Sequence, residues 1–286
     1  MPPITSPSIL FLAQVPSQAA SQFAIMEDEE RKSYRDGIVI PPESSLTYPS
    51  TFSDSEIQEG SIAYHPVFGF ITYNSWWNFS TKQFIENIKA ADENPAISAH
   101  LLHIDTQGGE SFGLHEAWLA IRALKKPCYA LVESAAESAG YYIASAANKI
   151  FASSIFSEIG CIGVMGILYD TEKSLEMEGI KRHKLYSNFS PRKNKVVTDA
   201  IEGEPDEYIK KFLDPLAEQF IADVKAARPS VTQEALEGET YFTTEAMAAG
   251  LIDGEGSIDE VLDQLKAAGT PTPKKSPSVD INKLKF

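Results

Sequence analysis

The chain has 286 residues, of which 43% are hydrophobic, 23% charged and 10% aromatic. That is enough apolar material for a real core, and too much for a fully disordered chain. With 40 acidic and 25 basic residues the net charge is −15, a surface that repels phosphate backbones and argues against nucleic-acid binding.

No apolar run approaches the roughly 20 residues that a membrane-spanning helix needs. The two cysteines, Cys128 and Cys161, both lie in apolar runs, so there is no disulfide framework and no need of an oxidising compartment. Near the start, Ile9-Leu10-Phe11-Leu12-Ala13 is apolar. No Lys or Arg precedes it and it is short for a signal peptide, so it reads as a short strand or a hydrophobic anchor. Residues 1–58 are rich in Pro and Ser and read as a loosely ordered arm. Residues 269–286 carry Thr270-Pro271-Thr272-Pro273 and read as a flexible tail.

Between these ends the pattern alternates. Ile62–His65 and Phe68–Tyr73 read as a strand pair around Pro66. Phe84, Ile85, Ile88 and Ala91 recur at helical spacing. Ala99–Ile104 is a strand ending at Asp105, and Leu114, Ala117, Trp118, Ile121 and Leu124 share one helix face. Cys128–Val132 is the next strand, and Gly140–Ala147 a short helix. Lys149–Ala152 and Cys161–Met165 read as strands again. After residue 204 the spacing of Ile209, Phe212, Leu216, Phe220 and Val224 is helical, with a junction between two helices expected at Asp214-Pro215. Strands alternating with helices imply an α/β domain with largely parallel pairing.

Two loops have the residues for chemistry. Asp105-Thr106-Gln107-Gly108-Gly109-Glu110 joins a buried strand to a helix, and its glycines let backbone N–H groups face an incoming oxygen. It also reads as an ordinary strand-to-helix turn. In Glu133-Ser134-Ala135-Ala136-Glu137-Ser138-Ala139-Gly140, Ser138 stands at the head of a small-residue helix. A serine there is most often an N-cap. It is also a place for a nucleophile, with the Ala139 amide facing an oxyanion.

A serine nucleophile needs a base. His100 and His103 fall on opposite faces of one strand, where structural roles are the better account, and no histidine is singled out. Lysine serves as base when its pKa is depressed. Lys181, Arg182, Lys184, Arg192, Lys193 and Lys195 cluster in a segment without acids between Glu178 and Asp199. The same cluster also reads as a solvated basic loop. No metal-ligand spacing stands out.

The Asp-x-x-Gly-Gly loop, then Ser138-Ala-Gly-Tyr-Tyr-Ile-Ala-Ser-Ala-Ala-Asn-Lys-Ile, then Gly160-Cys-Ile-Gly-Val164 resembles the S49 serine peptidases. These include SppA-type signal peptide peptidases and head-maturation proteases of tailed phages. The resemblance runs over about 60–265 and implies a ClpP/crotonase-like superhelix of ββα units, placed here over 59–268. It implies Ser138 as nucleophile and Gly108, Gly109 and Ala139 as the oxyanion hole. Ser187–Lys193 resembles the phage-type lysine loop, after a strand ending at Leu185-Tyr186-Ser187. This implies Lys193 as base, with Lys195 in reserve. One departure is Thr106-Gln107, where the family usually has Ser-Pro.

The resemblance further implies a soluble, cytoplasmic endopeptidase without cofactor, forming a homo-oligomeric ring in which serine and lysine can come from different subunits. A phage prohead protease acting on scaffold or capsid proteins is the first expectation, and an SppA-like peptidase the second. Two other readings use the same fold: an acyl-CoA enzyme with Glu133 or Glu137 in its pocket, and a non-catalytic assembly protein. Trp76 and Trp77 are expected to face a neighbour, a substrate groove or the core.

Overall fold

The structure is a computed structural model that describes residues 57–269 and two earlier strands, β1 (Ile9–Leu12) and β2 (Ile38–Ile40). Most of the arm expected over 1–58 and of the tail expected over 269–286 lies outside the described residues.

Two ββα units open the domain. The first runs β3 (Ser61–Phe68), β4 (Ile71–Thr72), β5 (Phe79–Ser80) and α1 (Thr81–Glu93). The second runs β6 (Ile97–Thr106), β7 (Gly108–Glu110) and α2 (Leu114–Arg122). In each unit the long strand joins a large sheet and the short strands join a small one. The chain continues with β8 (Cys128–Glu137), α3 (Ala139–Ser145), β9 (Lys149–Ala152), β10 (Glu158–Gly160) and β11 (Met165–Gly166). Then come α4 (Glu172–Met177), α5 (Lys195–Ile201) and α6 (Asp214–Ala227). The domain closes with β12 (Thr240–Phe242), α7 (Thr243–Ala248), β13 (Gly254–Glu255) and α8 (Ile258–Gly269).

The large sheet has the order β12-β10-β8-β6-β3-β2, and β3, β6, β8 and β10 are parallel. The first half of β8 pairs with β9 and its second half with β10. The small sheet has the order β11-β1-β7-β4-β5.

Both faces of the large sheet are covered, which is why its strands read as almost unbroken apolar runs. Ala99, Leu101, Tyr129, Leu131 and Phe151 pack against Val261, Leu262 and Leu265 of α8. The alternate residues Leu102, Ile104, Ala130, Val132, Ile150 and Ala152 pack on the other face with α1, α2, α3 and α6. Each large side chain fully buried in this way contributes about 1.5–3 kcal/mol.

Four expectations are corrected. Pro66 does not separate two strands but lies inside β3, paired with His103 of β6. Among the described residues β2 pairs with Ile62, Ala63 and Tyr64 and no ladder partner stands opposite Pro66 on that side, where its missing N–H is tolerated. Cys161–Val164 is not a strand: Gly160 and Cys161 have φ of 120° and 52°, which ends the β10 ladder and turns the chain toward the small sheet. Asp214-Pro215 does not separate two helices, because a π-helical stretch, Ile209–Leu213, leads directly into α6. Leu185–Ser187 is not the end of a strand either. It has no ladder partner among the described residues, and Leu185 is 92% exposed.

Trp76 and Trp77 are 78% and 66% exposed, outside the core. His65 and His100 are inside it, with His65 Nε2 3.1 Å from His100 Nδ1 and the rings stacked. Burial first, then His100 beside His65 and Lys126 beside His100, pushes both below the ordinary histidine value, His100 to about 3. Unfolded histidines titrate near pH 6.5 (roughly). Between that value and about 3 the unfolded chain binds protons that folded His100 refuses, so stability falls as pH falls. The loss approaches about 1.4 kcal/mol per pH unit per histidine. Urea unfolding at several pH values from 7 to 4 should show a shallower acid loss in His100→Gln than in the wild type. Equal slopes would remove the histidine pair from this account.

Candidate active site

The parallel strands β6, β8 and β10 end close together, at Thr106, Glu137 and Gly160, with Thr106 paired to Ala136 and Gly160 to Glu137. The sequence suggests a turn after Val132. Instead β8 continues, because the small residues Ala135 and Ala136 fit a close parallel pairing with β10. The register with β6 slips between Ile104 and Thr106 to accommodate it.

Ser138 follows at once. Its φ is 53° and its ψ −118°, a left-handed conformation that a non-glycine residue rarely adopts. Holding it there costs about 1–3 kcal/mol. The hydroxyl makes no cap hydrogen bond, although Ser138 occupies the N-cap position of α3. The N-cap reading is therefore corrected: a capping serine has extended backbone and accepts from the first turn. Here the Ser138 N–H donates to the Gly160 carbonyl (2.9 Å), and the Ser138 carbonyl accepts from the Tyr142 N–H (2.9 Å). Ala139 is the first residue of α3, so its N–H has no acceptor within the helix. Ser138 itself is 1% exposed.

Both tyrosines of the Gly-Tyr-Tyr motif anchor α3. The Tyr141 hydroxyl donates to the Leu251 carbonyl (2.8 Å). The Tyr142 hydroxyl donates to Asp223 Oδ2 (2.5 Å), and its ring stacks on Phe220 at 4.4 Å. Asp223 is also 2.8 Å from His115 Nδ1 and accepts from Gln219 Nε2 (3.0 Å). Nothing in the local sequence marks Asp223, which lies 81 residues from Tyr142.

The glycine loop is fixed by Thr106, at the position where the sequence departs from the family's Ser-Pro. Its hydroxyl donates to the Gly69 carbonyl (2.5 Å) and accepts from the Gly108 N–H (3.0 Å). The Gly108 amide is thereby engaged within the loop. Gly109 lies against β4: a Cβ there would stand 2.0 Å from the Ile71 carbonyl oxygen. Thr106 also touches the serine helix, since a Cβ on Gly140 would stand 2.4 Å from Thr106 Cγ2. One threonine thus joins the glycine loop to the element that carries Ser138, a role with no signal in the sequence beyond its place before Gly-Gly.

The lysines are placed differently. Lys193 is exposed in a turn where its N–H donates to the Ser190 carbonyl (3.2 Å). It lines a surface cavity of about 400 Å³ that Ser138 does not line. Lys195 Nζ is 2.7 Å from Asp199 Oδ2, and this carboxylate raises the amine's pKa, the opposite of what a neutral base requires. Arg182 and Lys184 pair with Glu172 at 2.9 and 3.0 Å, so acids distant in sequence reach the basic segment in space.

The carboxylates named for the acyl-CoA reading are each engaged. Glu133 Oε2 is 2.8 Å from His103 Nε2, a contact that lowers its pKa. Glu137 is buried, which raises its pKa, and it accepts from the Thr240 hydroxyl (2.6 Å). Among the described residues no helix is long and apolar enough to cross a membrane, and no cluster of ligating side chains would hold a metal ion.

Residues 120–270, just over half of the chain, match the sequence model of peptidase family S49. A putative signal peptide peptidase SppA of Enterococcus faecium is 27% identical over 66% of this chain and 56% of its own length. Protease 4 of Salmonella typhi is 28% identical over 61% of this chain and 29% of its own. The chloroplastic serine protease SPPA of Arabidopsis thaliana is 27% identical over 71% and 31%. The chain therefore spans between 29% and 56% of the length of these curated relatives. Among solved structures, a 1510-N membrane protease from Pyrococcus horikoshii, specific for a stomatin homolog, superposes with a TM-score of 0.42 at 18% identity, over 70% of this chain and 76% of that one. An enoyl-CoA hydratase/isomerase family protein from Silicibacter pomeroyi superposes with a TM-score of 0.45 at 15% identity, over 74% and 80%. On the sequence match, the chain belongs to peptidase family S49.

Proposed function

We propose that the chain is a serine endopeptidase with Ser138 as nucleophile and Lys193 as general base. The observation that carries this reading is the backbone of Ser138, strained and without a capping bond at the meeting point of three strand ends. Strain of this kind, fixed by its surroundings, fits a hydroxyl held ready for attack better than a helix cap. Ser138 Oγ attacks the substrate carbonyl, and neutral Lys193 takes its proton and passes it to the leaving amine. Water then resolves the acyl-enzyme. The Ala139 amide, with that of Gly109, would receive the oxyanion, the Gly108 N–H being held by the Thr106 hydroxyl. Such a donor contributes on the order of 3 kcal/mol in enzymes where it has been removed.

Lys193 reaches the nucleophile, in this reading, from a neighbouring protomer of a ring. The lysine loop is exposed along its length, Phe189 being 97% exposed, and a neighbour packed on it would exclude the water that keeps the amine charged. The substrates we propose are the scaffold and capsid proteins of a phage prohead, on the phage-type sequence Ser187–Lys193. A second reading, an SppA-like peptidase acting on signal peptides, is favoured by the names of the relatives in Enterococcus and Arabidopsis.

Purified wild type and single variants incubated with casein, a scaffold protein and a signal peptide test these assignments. Ser138→Ala and Lys193→Ala should each lower kcat/KM by about 10³-fold or more, as loss of a nucleophile or base does. Lys195→Ala should stay within a few-fold. Undiminished cleavage by Ser138→Ala would reject the nucleophile, and loss on Lys195→Ala alone would move the base. Preference for signal peptide over scaffold would select the second substrate class.

Thr106→Val keeps the shape and removes both hydrogen bonds of the loop. It should lower stability by about 1–3 kcal/mol, because the Gly108 N–H and Gly69 carbonyl lose their partner. It should also lower kcat more than it raises KM, about tenfold or more, if the loop positions oxyanion donors. A kcat equal to wild type would make Thr106 a purely structural residue.

A further inference from the structure

The strand β1 lies between β7 and β11, antiparallel to both. Leu10, Phe11 and Leu12 pair with Glu110, Gly109 and Gly108, while Ile9 and Leu10 pair with Gly166 and Met165. Its two neighbours are the strands that follow β6 and β10, whose ends meet that of β8 just before Ser138. β7 starts two residues after Thr106, whose methyl group packs on the serine helix. β11 follows Gly160, whose carbonyl accepts the Ser138 N–H, by five residues. The carboxyl end of β1, Leu12, lies at Gly108, the end of β7 next to Thr106. Ser138 is 1% exposed in the chain so folded.

Two strands separated by one strand width, about 4.8 Å on each side, form a slot whose backbone groups pair with any extended peptide. Here the slot is filled from within. We propose that residues 9–12 occupy the substrate slot of this enzyme as an intramolecular pseudosubstrate, so that a peptide substrate gains Ser138 only when this strand withdraws. The proposal rests on the reading of Ser138 as nucleophile, because that reading makes the slot a substrate slot. An extended peptide and β1 require the same edge of β7 at Gly108–Glu110, and the two cannot bind together. A tethered strand competes at a high effective concentration, so even modest pairing keeps the slot closed. The apparent affinity for substrate falls by the fraction of molecules in which the slot is open.

The full chain carrying Leu10→Pro and Phe11→Pro tests this. In an antiparallel strand consecutive N–H groups face opposite neighbours, so the pair of prolines removes a ladder donor toward each. Ala19→Pro, outside the strand, is the control. The first readout is amide hydrogen exchange in the Ser138→Ala background, where no cleavage intervenes. Exchange at Gly108–Glu110 and Met165–Gly166 should become about tenfold faster or more in the double variant, with Leu101 and Leu131 in the core unchanged. Unchanged exchange at Gly108–Glu110 overturns the proposal. A synthetic peptide of residues 5–16, added to the double variant, should restore that protection, and failure to restore it also overturns the proposal.

The second readout uses intact Ser138. Cleavage of a short fluorogenic peptide should rise about tenfold in kcat/KM, the factor expected when a slot open in a tenth of molecules becomes fully open. An active enzyme whose kcat/KM does not rise overturns the proposal. If exchange opens while neither protein cleaves any peptide, the strand does fill the slot and it is the peptidase reading that has failed.

Discussion

The conformation of Ser138 is one that an L-residue avoids, and separate parts of the chain combine to impose it. The Gly160 carbonyl fixes its N–H, and the first turn of α3 fixes its carbonyl. That helix is itself held at both tyrosines, by Leu251 from one side and Asp223 from the other. Strain of about 1–3 kcal/mol persists only where the surroundings over-determine it. The buried tyrosine hydrogen bonds and the stacked Tyr142–Phe220 pair are of the size needed to do so. A hydroxyl so placed serves no helix cap.

The parallel sheet makes this arrangement possible. Strands β6, β8 and β10 all run one way, so their carboxyl ends meet at one edge. Ligands of open α/β sheets collect at such ends. At this edge the chain leaves the large sheet for the small one three times, at Phe68–Ile71, at Thr106–Gly108 and at Gly160–Met165. Glycines serve there both for positive φ, 112° at Gly108 and 120° at Gly160, and for close approach. The Gly109 and Gly140 positions leave no room for a methyl group, which brings β7 against the backbone of β4 and α3 against Thr106 of β6. Thr106 bridges the two contacts with one hydroxyl and one methyl.

Much of the fold was legible in the sequence because both faces of the large sheet are buried. Runs such as Leu101–Ile104 and Cys128–Val132 have few other physical explanations. Small residues misled in one place: Ala135 and Ala136 resemble a turn, yet they are strand residues chosen for close pairing. An apolar run misled in another, since Cys161–Val164 has strand composition but begins at a left-handed residue. The serine and the glycine pair could be read because they sit in short contiguous motifs. The contributions of Thr106 and Asp223 could not, because they consist of contacts to residues 37 and 81 positions away. The basic segment was the least legible, since its acids, Glu172 and Asp199, lie outside it in sequence and beside it in space.

The arrangement separates two requirements that a serine–lysine pair must reconcile. The proposed nucleophile is buried within one domain, while the amine proposed as its base stands on an exposed loop. The central claim concerns the first of these, that Ser138 is the reactive hydroxyl. Peptide mapping by mass spectrometry after exhaustive fluorophosphonate treatment tests it most directly. The account predicts one adduct, on Ser138, that is absent when the chain is unfolded in urea before labelling. An adduct on Ser134 or Ser145 instead, or an unlabelled Ser138 in protein that still cleaves casein, would contradict it.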